Sequence, residues 1–288
     1  PTPTVIVTSA NPEDLDLTFE SILRFGAIDF ITKPAKRRGE MEMQAERILE
    51  RLHKAARVNL RGIRMVQPPL RPASQRVCRG SCRGVVAAVA GTGGCLSFMQ
   101  LITGLPTDLP LAVVGVLGFP TPFLKALVSY LDASSAFSVQ MAVDGAPLSG
   151  GVCYLASESD RLRVVSDGPE AALRVEPGAG GHRSELLLDA AEHFGDRAVG
   201  LVLSGEGEEA LTGLAAIRAA KGTTMAQLPE SCVDPHQPRR AIEMELVDRV
   251  VLLPNIASEL SQVFINRLRQ TRDQLDFEGN SVWPRMSA

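Results

Sequence analysis

Two side chains that could act as nucleophiles, Thr92 and Cys95, lie in and just after a glycine-rich turn. The turn follows residues 85–90, Val-Val-Ala-Ala-Val-Ala, an apolar run that predicts a buried strand. Glycines 91, 93 and 94 favour a tight passage from that strand into a helix. A helix start would lower the pKa of the Cys95 thiol. The sequence therefore predicts a hydroxyl and an activated thiol at one strand end.

Either nucleophile needs a base within hydrogen-bond reach. The chain has four histidines, of which His53 lies in the first segment and His193 in a predicted helix. His182 and His236 lie in segments that we expect to border a cleft. The turn is not predicted to cradle a phosphate, because neither Gly-x-x-x-x-Gly-Lys-[Ser/Thr] nor Gly-x-Gly-x-x-Gly follows the strand.

Residues 90–94, Ala-Gly-Thr-Gly-Gly, resemble the turn Ala-Ser-Thr-Gly-Gly of the chemotaxis protein-glutamate methylesterases, the CheB-type family. Further segments between about residues 84 and 254 follow in the order of that family: Asp144-Gly145 with Pro147, Leu148, Gly151 and Tyr154; Gly181-His182-Arg183; residues 197–207; Pro238-Arg239 with Ala241-Ile242-Glu243; and Val247-Asp248-Arg249-Val250. The resemblance implies ester hydrolysis by a serine, a histidine and an aspartate that act as one unit.

The three catalytic positions implied by the resemblance carry other residues. Gly91 stands where the family has serine, Gly118 where it has histidine, and Glu209 where it has the orienting aspartate. Glycine can neither attack a carbonyl carbon nor remove a proton, so we predict no active catalytic residue at these positions. The residues expected to line the remaining cleft are Thr92, Gly93, Gly94, His182, Arg183 and Glu206.

These substitutions favour one function and leave two others open. The favoured function is a catalytically inactive CheB-type protein that acts as a binding or scaffold module. By resemblance its partners are chemoreceptors or other chemotaxis signalling proteins. The alternative is a weakly active protein-glutamate methylesterase or glutamine deamidase that uses Thr92 or Cys95 beside a histidine. The third is a gene product without a selected role.

Residues 3–34 resemble the second half of a two-component receiver domain, which precedes the methylesterase domain in this family. By that resemblance Thr8 is the switch hydroxyl, Phe30 the switch aromatic residue and Lys33 the phosphate-contacting lysine. The phosphoacceptor aspartate would lie upstream of the given sequence, so we expect no phosphorylation switch within these 288 residues. The apolar strand over residues 5–8 would then expose an edge, so we expect residues 1–57 to dock on the larger domain, to self-associate with a second copy through residues 5–8, or to be poorly ordered.

The apolar runs predict an α/β fold with a doubly wound, mostly parallel sheet, and by resemblance a partial receiver-like (flavodoxin-like) α/β segment precedes it. In the larger unit, strands are predicted at residues 85–90, 111–117, 152–156, 198–204, 223–227 and 249–254, and helices at 95–104, 121–132, 184–194, 207–220 and 255–272. In the first segment, strands are predicted at 5–8 and 29–34, and helices between Asn11 and Gly26 and over 39–57. Gly91, Gly118 and residues 206–209 follow strands, so they should meet at the carboxyl edge of the sheet.

The predicted domains are a partial receiver (residues 1–57), a basic proline-rich linker (58–83), a CheB methylesterase-like domain (84–272) and a tail (273–288). Residues 51–83 contain nine lysines or arginines and no acidic residue, with three prolines among residues 68–72. No aromatic residue interleaves these cations, so we do not predict binding of nucleic acid.

Whole-chain composition argues against a disulfide-rich protein, a metal-binding protein and a membrane-spanning protein. The net charge of −3 selects no partner by electrostatics. Five cysteines, an odd number, fit a reducing cytosol better than a disulfide framework, and their spacing predicts no metal site. We predict no cofactor. No apolar run approaches membrane-spanning length and no secretory signal is visible, so we expect a cytoplasmic location without membrane insertion.

Overall fold

The structure, a computed structural model, describes residues 4–8, 27–33, 40–57, 80–106, 109–118, 121–167, 170–180 and 183–280. Its strands are, in chain order, β1 (Val5–Thr8), β2 (Asp29–Thr32), β3 (Gly80–Ser81), β4 (Gly84–Ala90), β5 (Leu111–Leu117), β6 (Ser138–Met141), β7 (Ser149–Gly150), β8 (Val152–Ser157), β9 (Arg161–Asp167), β10 (Glu170–Glu176), β11 (Ala198–Val202), β12 (Thr223–Gln227) and β13 (Arg249–Val251). The α-helices are α1 (Glu40–Ala56), α2 (Gly94–Gly104), α3 (Thr121–Ser134), α4 (Arg183–Phe194), α5 (Ala210–Ala219), α6 (His236–Glu243) and α7 (Ile256–Asn280).

Seven strands form one parallel sheet in the order β13-β12-β11-β4-β5-β8-β6. Every residue of β4 and β5 is buried, because helices cover both faces of the sheet. Helices α2, α3 and α7 pack on one face, around Phe98, and helices α4 and α5 pack on the other, around Leu187. The predicted doubly wound α/β fold is therefore confirmed.

The strand order reverses at β4, which determines where a site can form. Strand β5 lies beside β4 on one side, and β11, which comes later in the chain, lies on the other. In open α/β sheets ligands bind outside the carboxyl ends of the strands at such a reversal. The turn that begins at Gly91 and the segment from Leu203 to Gly207 lie at this point of the sheet.

The structure contains all six strands predicted for the larger unit and adds elements that the sequence did not predict. The added strands and helices are the short strands β3 and β7, strand β6, the β9–β10 hairpin and α6. The hairpin is fixed to α4 by two bidentate ion pairs, Arg161–Glu185 and Arg163–Asp189, with N···O distances of 2.6 to 2.8 Å. Contacts between residues so far apart in the chain leave no local signal. Helix α7 continues to Asn280, past the predicted domain end at residue 272.

The first segment packs on the larger unit. Strands β1 and β2 pair in parallel, and Ile28 and Ala55 are buried against Val233. The Lys33 backbone N–H donates to the Thr8 carbonyl at 2.8 Å, so two of the predicted switch positions are adjacent. Their receiver roles and that of Phe30, of which only the backbone is described, stay predictions. The predicted helix between Asn11 and Gly26 lies outside the described residues.

Most of the predicted linker, residues 58–79, also lies outside the described residues. Its last residues belong to the larger unit, because β3 pairs antiparallel with β7. The domain boundaries otherwise stay predictions. Among the helices of the described residues, none is both long and apolar enough to cross a membrane.

Two fully buried glutamines near the reversal point differ in their hydrogen bonding. The side chain of Gln227 accepts the Ser204 N–H at 3.0 Å, and its Nε2 donates to the Ser231 carbonyl at 2.8 Å. Gln237, in the first turn of α6, has no hydrogen-bond partner for Nε2 or Oε1 among the described residues. A buried polar group without a partner costs about 1–3 kcal/mol. The described residues therefore satisfy the side-chain amide of Gln227 and provide no partner for that of Gln237.

We predict opposite effects on stability when each glutamine is replaced by methionine. Gln237→Met removes an unpaired buried amide and should raise the free energy of unfolding by about 1–3 kcal/mol. Gln227→Met leaves the Ser204 N–H without a partner and should lower it by a similar amount. Urea denaturation of the two variants and of the parent chain measures both changes in the free energy of unfolding. A Gln237→Met variant less stable than the parent would contradict the prediction.

Candidate functional site

The turn after β4 is held to the segment after β11 by backbone hydrogen bonds. The Gly91 N–H donates to the Ser204 carbonyl at 3.0 Å, and the Gly94 N–H donates to the Gly91 carbonyl at 2.9 Å. Gly93 has a φ of 73°, and a Cβ atom at this position would lie 2.2 Å from Cβ of Val233. A glycine is therefore required at position 93 by the backbone conformation and by the neighbouring side chain.

Gly91 and Gly118 adjoin each other at the carboxyl ends of β4 and β5. The Gly118 N–H donates to the Ala90 carbonyl at 2.8 Å. A Cβ atom built on Gly118 would lie 3.1 Å from Cα of Gly91. The resemblance assigns a serine to position 91 and a histidine to position 118. These two positions are neighbours, as a catalytic pair requires.

The carboxylate of Glu206 lies against the turn. Its Oε2 atom accepts the Thr92 N–H at 3.0 Å. The same oxygen would lie only 2.7 Å from a Cβ atom built on Gly91. Glu206 therefore occupies the space into which a side chain at position 91 would project.

A buried hydroxyl connects the turn to α6. The Ser204 side chain is fully buried, donates to the Thr92 carbonyl at 2.8 Å and accepts the Asp234 N–H at 3.0 Å. The Asp234 carboxylate in turn accepts the His236 N–H at 3.0 Å. These bonds tie the backbone at Ser204, two residues before Glu206, to the turn and to the start of α6.

Two arginines complete the crevice, each beside its own carboxylate. Arg183, whose side chain is 8% exposed, pairs with Glu158 at 2.6 Å and donates to the Glu206 carbonyl at 3.3 Å. Arg51 of α1 makes a bidentate pair with buried Asp29 at 2.5 and 2.8 Å and donates to the Gly118 carbonyl at 3.3 Å. Burial alone would lower the pKa of Arg51, but the hydrogen bond and charge of Asp29 outweigh it and the pKa is raised.

An open cleft of about 390 Å³ borders Glu206. Its lining consists of Arg57 at the end of α1, Glu206, Gly207, Val233, Asp234, Pro235 and His236. The volume lies within the range of small-ligand sites. No group of three or more histidine, cysteine, aspartate or glutamate side chains that could hold a metal ion occurs in the part of the chain that the structure describes.

The expectation of an activated thiol at Cys95 is wrong. Cys95 lies in the first turn of α2 with 8% exposure, and burial raises the pKa of its thiol to about 12, with a further contribution from the charge of Asp29. Desolvation outweighs the helix terminus, and no cation among the described residues lowers the thiol pKa. Thr92 is 6% exposed, and its backbone N–H and carbonyl are bonded to Glu206 and Ser204.

The structure brings together most of the predicted cleft residues: Thr92, Gly93, Gly94, Arg183 and Glu206. His182 lies outside the described residues, and Glu209 is an exposed residue at the start of α5. Sequence reasoning missed Glu158, Arg51 and Asp29. Glu158 directly follows β8 and could have been found as a carboxylate at a strand end, whereas nothing local indicates that Arg51 reaches the crevice.

The sequence profile described as CheB methylesterase matches residues 86–260. This chain belongs to the CheB methylesterase family. It is 31% identical over 268 residues to the protein-glutamate methylesterase/protein-glutamine glutaminase 2 of Bordetella avium, covering 90% of this chain and 76% of the relative. It is 32% identical over 265 residues to protein-glutamate methylesterase/protein-glutamine glutaminase 1 of Caulobacter vibrioides, covering 90% of this chain and 76% of the relative.

A solved structure extends the match from sequence to fold. The CheB methylesterase catalytic domain of Thermotoga maritima superposes with a TM-score of 0.59 at 25% identity, covering 62% of this chain and 98% of that domain. The predicted family and the methylesterase-like fold are thereby confirmed. In this member of the CheB methylesterase family, the crevice at the strand reversal is formed and contains the Glu206 carboxylate.

We predict that Cys95 resists alkylation in the folded protein. With a thiol pKa of about 12, roughly one molecule in ten thousand carries the thiolate at pH 8, and the side chain is buried besides. Iodoacetamide treatment followed by peptide mass spectrometry should find Cys95, Cys153 and Cys232 unmodified until denaturant is added. Half-buried Cys82 is the internal control and should react first. Rapid, selective labelling of Cys95 would contradict the burial that the structure describes.

Proposed function

We propose that this CheB methylesterase family member is a binding module of chemotaxis signalling that does not hydrolyse glutamyl esters. The observation that carries the proposal is the position of the Glu206 carboxylate, 2.7 Å from the Cβ position of Gly91 and 3.0 Å from the Thr92 nitrogen. In hydrolases with a nucleophile at a strand-to-helix turn, the N–H after the nucleophile helps to stabilise the oxyanion. Here a carboxylate takes that N–H.

A carboxylate at this position opposes ester hydrolysis in two ways. A nucleophilic side chain at position 91 would have to displace it, because its Oε2 atom would lie 2.7 Å from the new Cβ atom. The carboxylate also places negative charge where the tetrahedral intermediate would develop an oxyanion, which raises the energy of that intermediate instead of lowering it. At Gly118, which adjoins Gly91, the chain supplies no side chain that could act as base.

The alternative of a relocated nucleophile lacks support from the described residues. Burial raises the pKa of the Cys95 thiol to about 12, far above the range in which cysteine nucleophiles work. Thr92 is buried, with its backbone bonded on both sides. We therefore favour the binding function over a weak methylesterase or glutamine deamidase.

The proposed partners are chemoreceptors or other chemotaxis signalling proteins, and the proposed location is the cytoplasm. Family membership supports the proposed partners. The proposed cytoplasmic location is supported by the four cysteines of the described residues, all of which are free thiols, as in proteins of a reducing compartment. A pull-down of the full chain from its own cytosol identifies the partner.

We predict that the parent chain releases no methanol from methylated receptor above the buffer blank. Gly91→Ser alone should also fail, because it adds no base and its Cβ would meet Glu206. The matched comparison is Gly91→Ser/Gly118→His/Glu209→Asp, which restores all three positions of the triad, with and without Glu206→Met. We expect release only when Glu206 is also replaced, since only then are the nucleophile, the base and the space for the oxyanion all present. Parent-chain turnover that disappears in Thr92→Val or Cys95→Ala would overturn the proposed function.

We also propose self-association through β1. Within the described residues β1 pairs only with β2, and Val7 is 40% exposed while Ile6 packs on the main core. Sedimentation velocity at micromolar concentration should find a dimer of the parent chain and a monomer of Val7→Lys, because a charge on a strand edge blocks pairing. Val143→Lys, at a valine 61% exposed outside β1, is the control and should leave the dimer intact. A monomeric parent chain would refute the pairing.

A further inference from the structure

Exposed cations stand at the amino ends of three neighbouring strands, on the edge of the sheet opposite to the crevice. Arg83 directly precedes β4, Arg197 directly precedes β11, and Lys221 lies two residues before β12. Strand β11 pairs with β4 on one side and with β12 on the other, so each strand start is about 5 Å from the next. We call the surface formed by Arg83, Arg197 and Lys221 the basic edge.

Direct contacts join these strand starts. Nη1 of Arg197 donates to the Arg83 carbonyl at 3.4 Å, and the guanidinium carbon lies 5.6 Å from the centre of the Phe194 ring. A Cβ atom built on Gly222, the residue after the lysine, would lie 2.8 Å from the Ala198 carbonyl oxygen. The three cations therefore share one continuous surface.

None of the three cations forms an ion pair within the part of the chain that the structure describes. A neighbouring arginine differs, because Arg218 pairs with Asp248 at 3.3 Å. Asp196 is exposed and precedes Arg197 in the sequence, yet the two side chains form no ion pair with each other. The charges of the basic edge are therefore open to a carboxylate from another molecule.

The lysine of the basic edge stands where glycine is usual. Lys221 has a φ of 61°, and the Gly222 N–H donates to the Ile217 carbonyl at 2.8 Å across the end of α5. Helix α4 ends in the same left-handed conformation, with Gly195 at a φ of 56°. Glycine is preferred there because an L side chain is unfavourable in this conformation. The helix terminus does not require the lysine either, since the last turn of α5 already carries Arg218.

We propose that the basic edge binds an acidic segment of a partner protein, in which several carboxylates follow one another closely. Three cations within about 10 Å add their fields and attract such a segment together. The aromatic side chains beside this edge, Phe194 and Phe264, are 6% and 2% exposed, so they cannot stack on the bases of a nucleic acid. The surface lies apart from the crevice, and the inference does not rest on the proposed function.

The experiment is a fluorescence-anisotropy titration of the full chain with a fluorescein-labelled hexaglutamate peptide. The basic edge is removed by the triple variant Arg83→Gln/Arg197→Gln/Lys221→Gln. Its matched control removes two arginines and one lysine from exposed positions of β10, α6 and α3, as Arg174→Gln/Arg239→Gln/Lys125→Gln. Because both variants have the same net charge, the comparison cancels the attraction of all the other cations of the chain.

We expect the peptide to bind the parent chain with an affinity that falls as salt is added. The basic-edge variant should bind at least about tenfold more weakly, since each lost ion pair weakens binding by about two- to fivefold. The control variant should stay within about twofold of the parent chain. Asp196→Asn removes an exposed carboxylate beside Arg197 and should strengthen binding by about twofold. A hexaglutamine peptide is the uncharged probe and should not bind.

Lys221→Gly separates binding from a purely structural role of the lysine. Glycine relieves the left-handed conformation, so the melting temperature should rise by about 1–4 °C while the peptide binds about two- to fivefold more weakly. A lower melting temperature with unchanged peptide affinity would assign the lysine to the helix end and count against the proposal. If the triple variant does not fold, the opposite effects of Lys221→Gly and Asp196→Asn on peptide affinity decide the matter.

Equal peptide affinity of the two triple variants would overturn the proposal, because the attraction would then follow net charge alone. So would binding of the parent chain to vesicles of equal parts phosphatidylserine and phosphatidylcholine without binding of the peptide, which would indicate a membrane surface as the ligand. Either result leaves the proposed function intact, since methanol release reports on the crevice at the other edge of the sheet. Ester turnover by the parent chain would refute the proposed function and leave the basic edge unaffected.

Discussion

The contact between the Glu206 carboxylate and the backbone of Gly91 and Thr92 is the interaction around which the crevice is arranged. Position 91 has no side chain, and a Cβ atom there would lie 2.7 Å from Oε2, so the carboxylate would have to move aside to admit one. Gly91 therefore leaves room for the Glu206 carboxylate against the turn. The contact joins the ends of β4 and β11 at the strand reversal, where this fold class places its ligands.

The crevice holds several charges at partial or complete burial, and each is matched. Burying an unpaired charge is costly, whereas a paired and hydrogen-bonded one is tolerated. Asp29 is 3% exposed and is matched by Nε and Nη2 of Arg51, and Arg183 at 8% exposure is matched by Glu158. Arg51 also donates to the Gly118 carbonyl, so the first segment contributes directly to the wall of the crevice. Removing that segment would leave Gly118 with one partner fewer.

Family membership accounts for the fold of this chain, whereas the chemistry of its crevice depends on a few side chains. The match to CheB methylesterase covers residues 86–260, and the sheet order and the position of the crevice follow from it. What the crevice can do depends on a few side chains at the strand ends, because a fold hosts many chemistries through the residues grafted on it. Here a glycine and a carboxylate meet where the family resemblance implies a nucleophile and an oxyanion site, which favours binding over hydrolysis.

The sequence by itself determined the parallel sheet, because unbroken apolar runs such as β4 and β5 can be buried only between two layers of helices. It also determined that Gly91 and Glu206 lie near each other, since both follow strands of that sheet. Only the tertiary structure decided that Glu206 turns onto the Thr92 N–H, that Cys95 is buried, and that Arg51 reaches Gly118. Those outcomes depend on hydrogen bonds between residues 67 and 114 positions apart and on desolvation, and neither leaves a pattern in the local sequence.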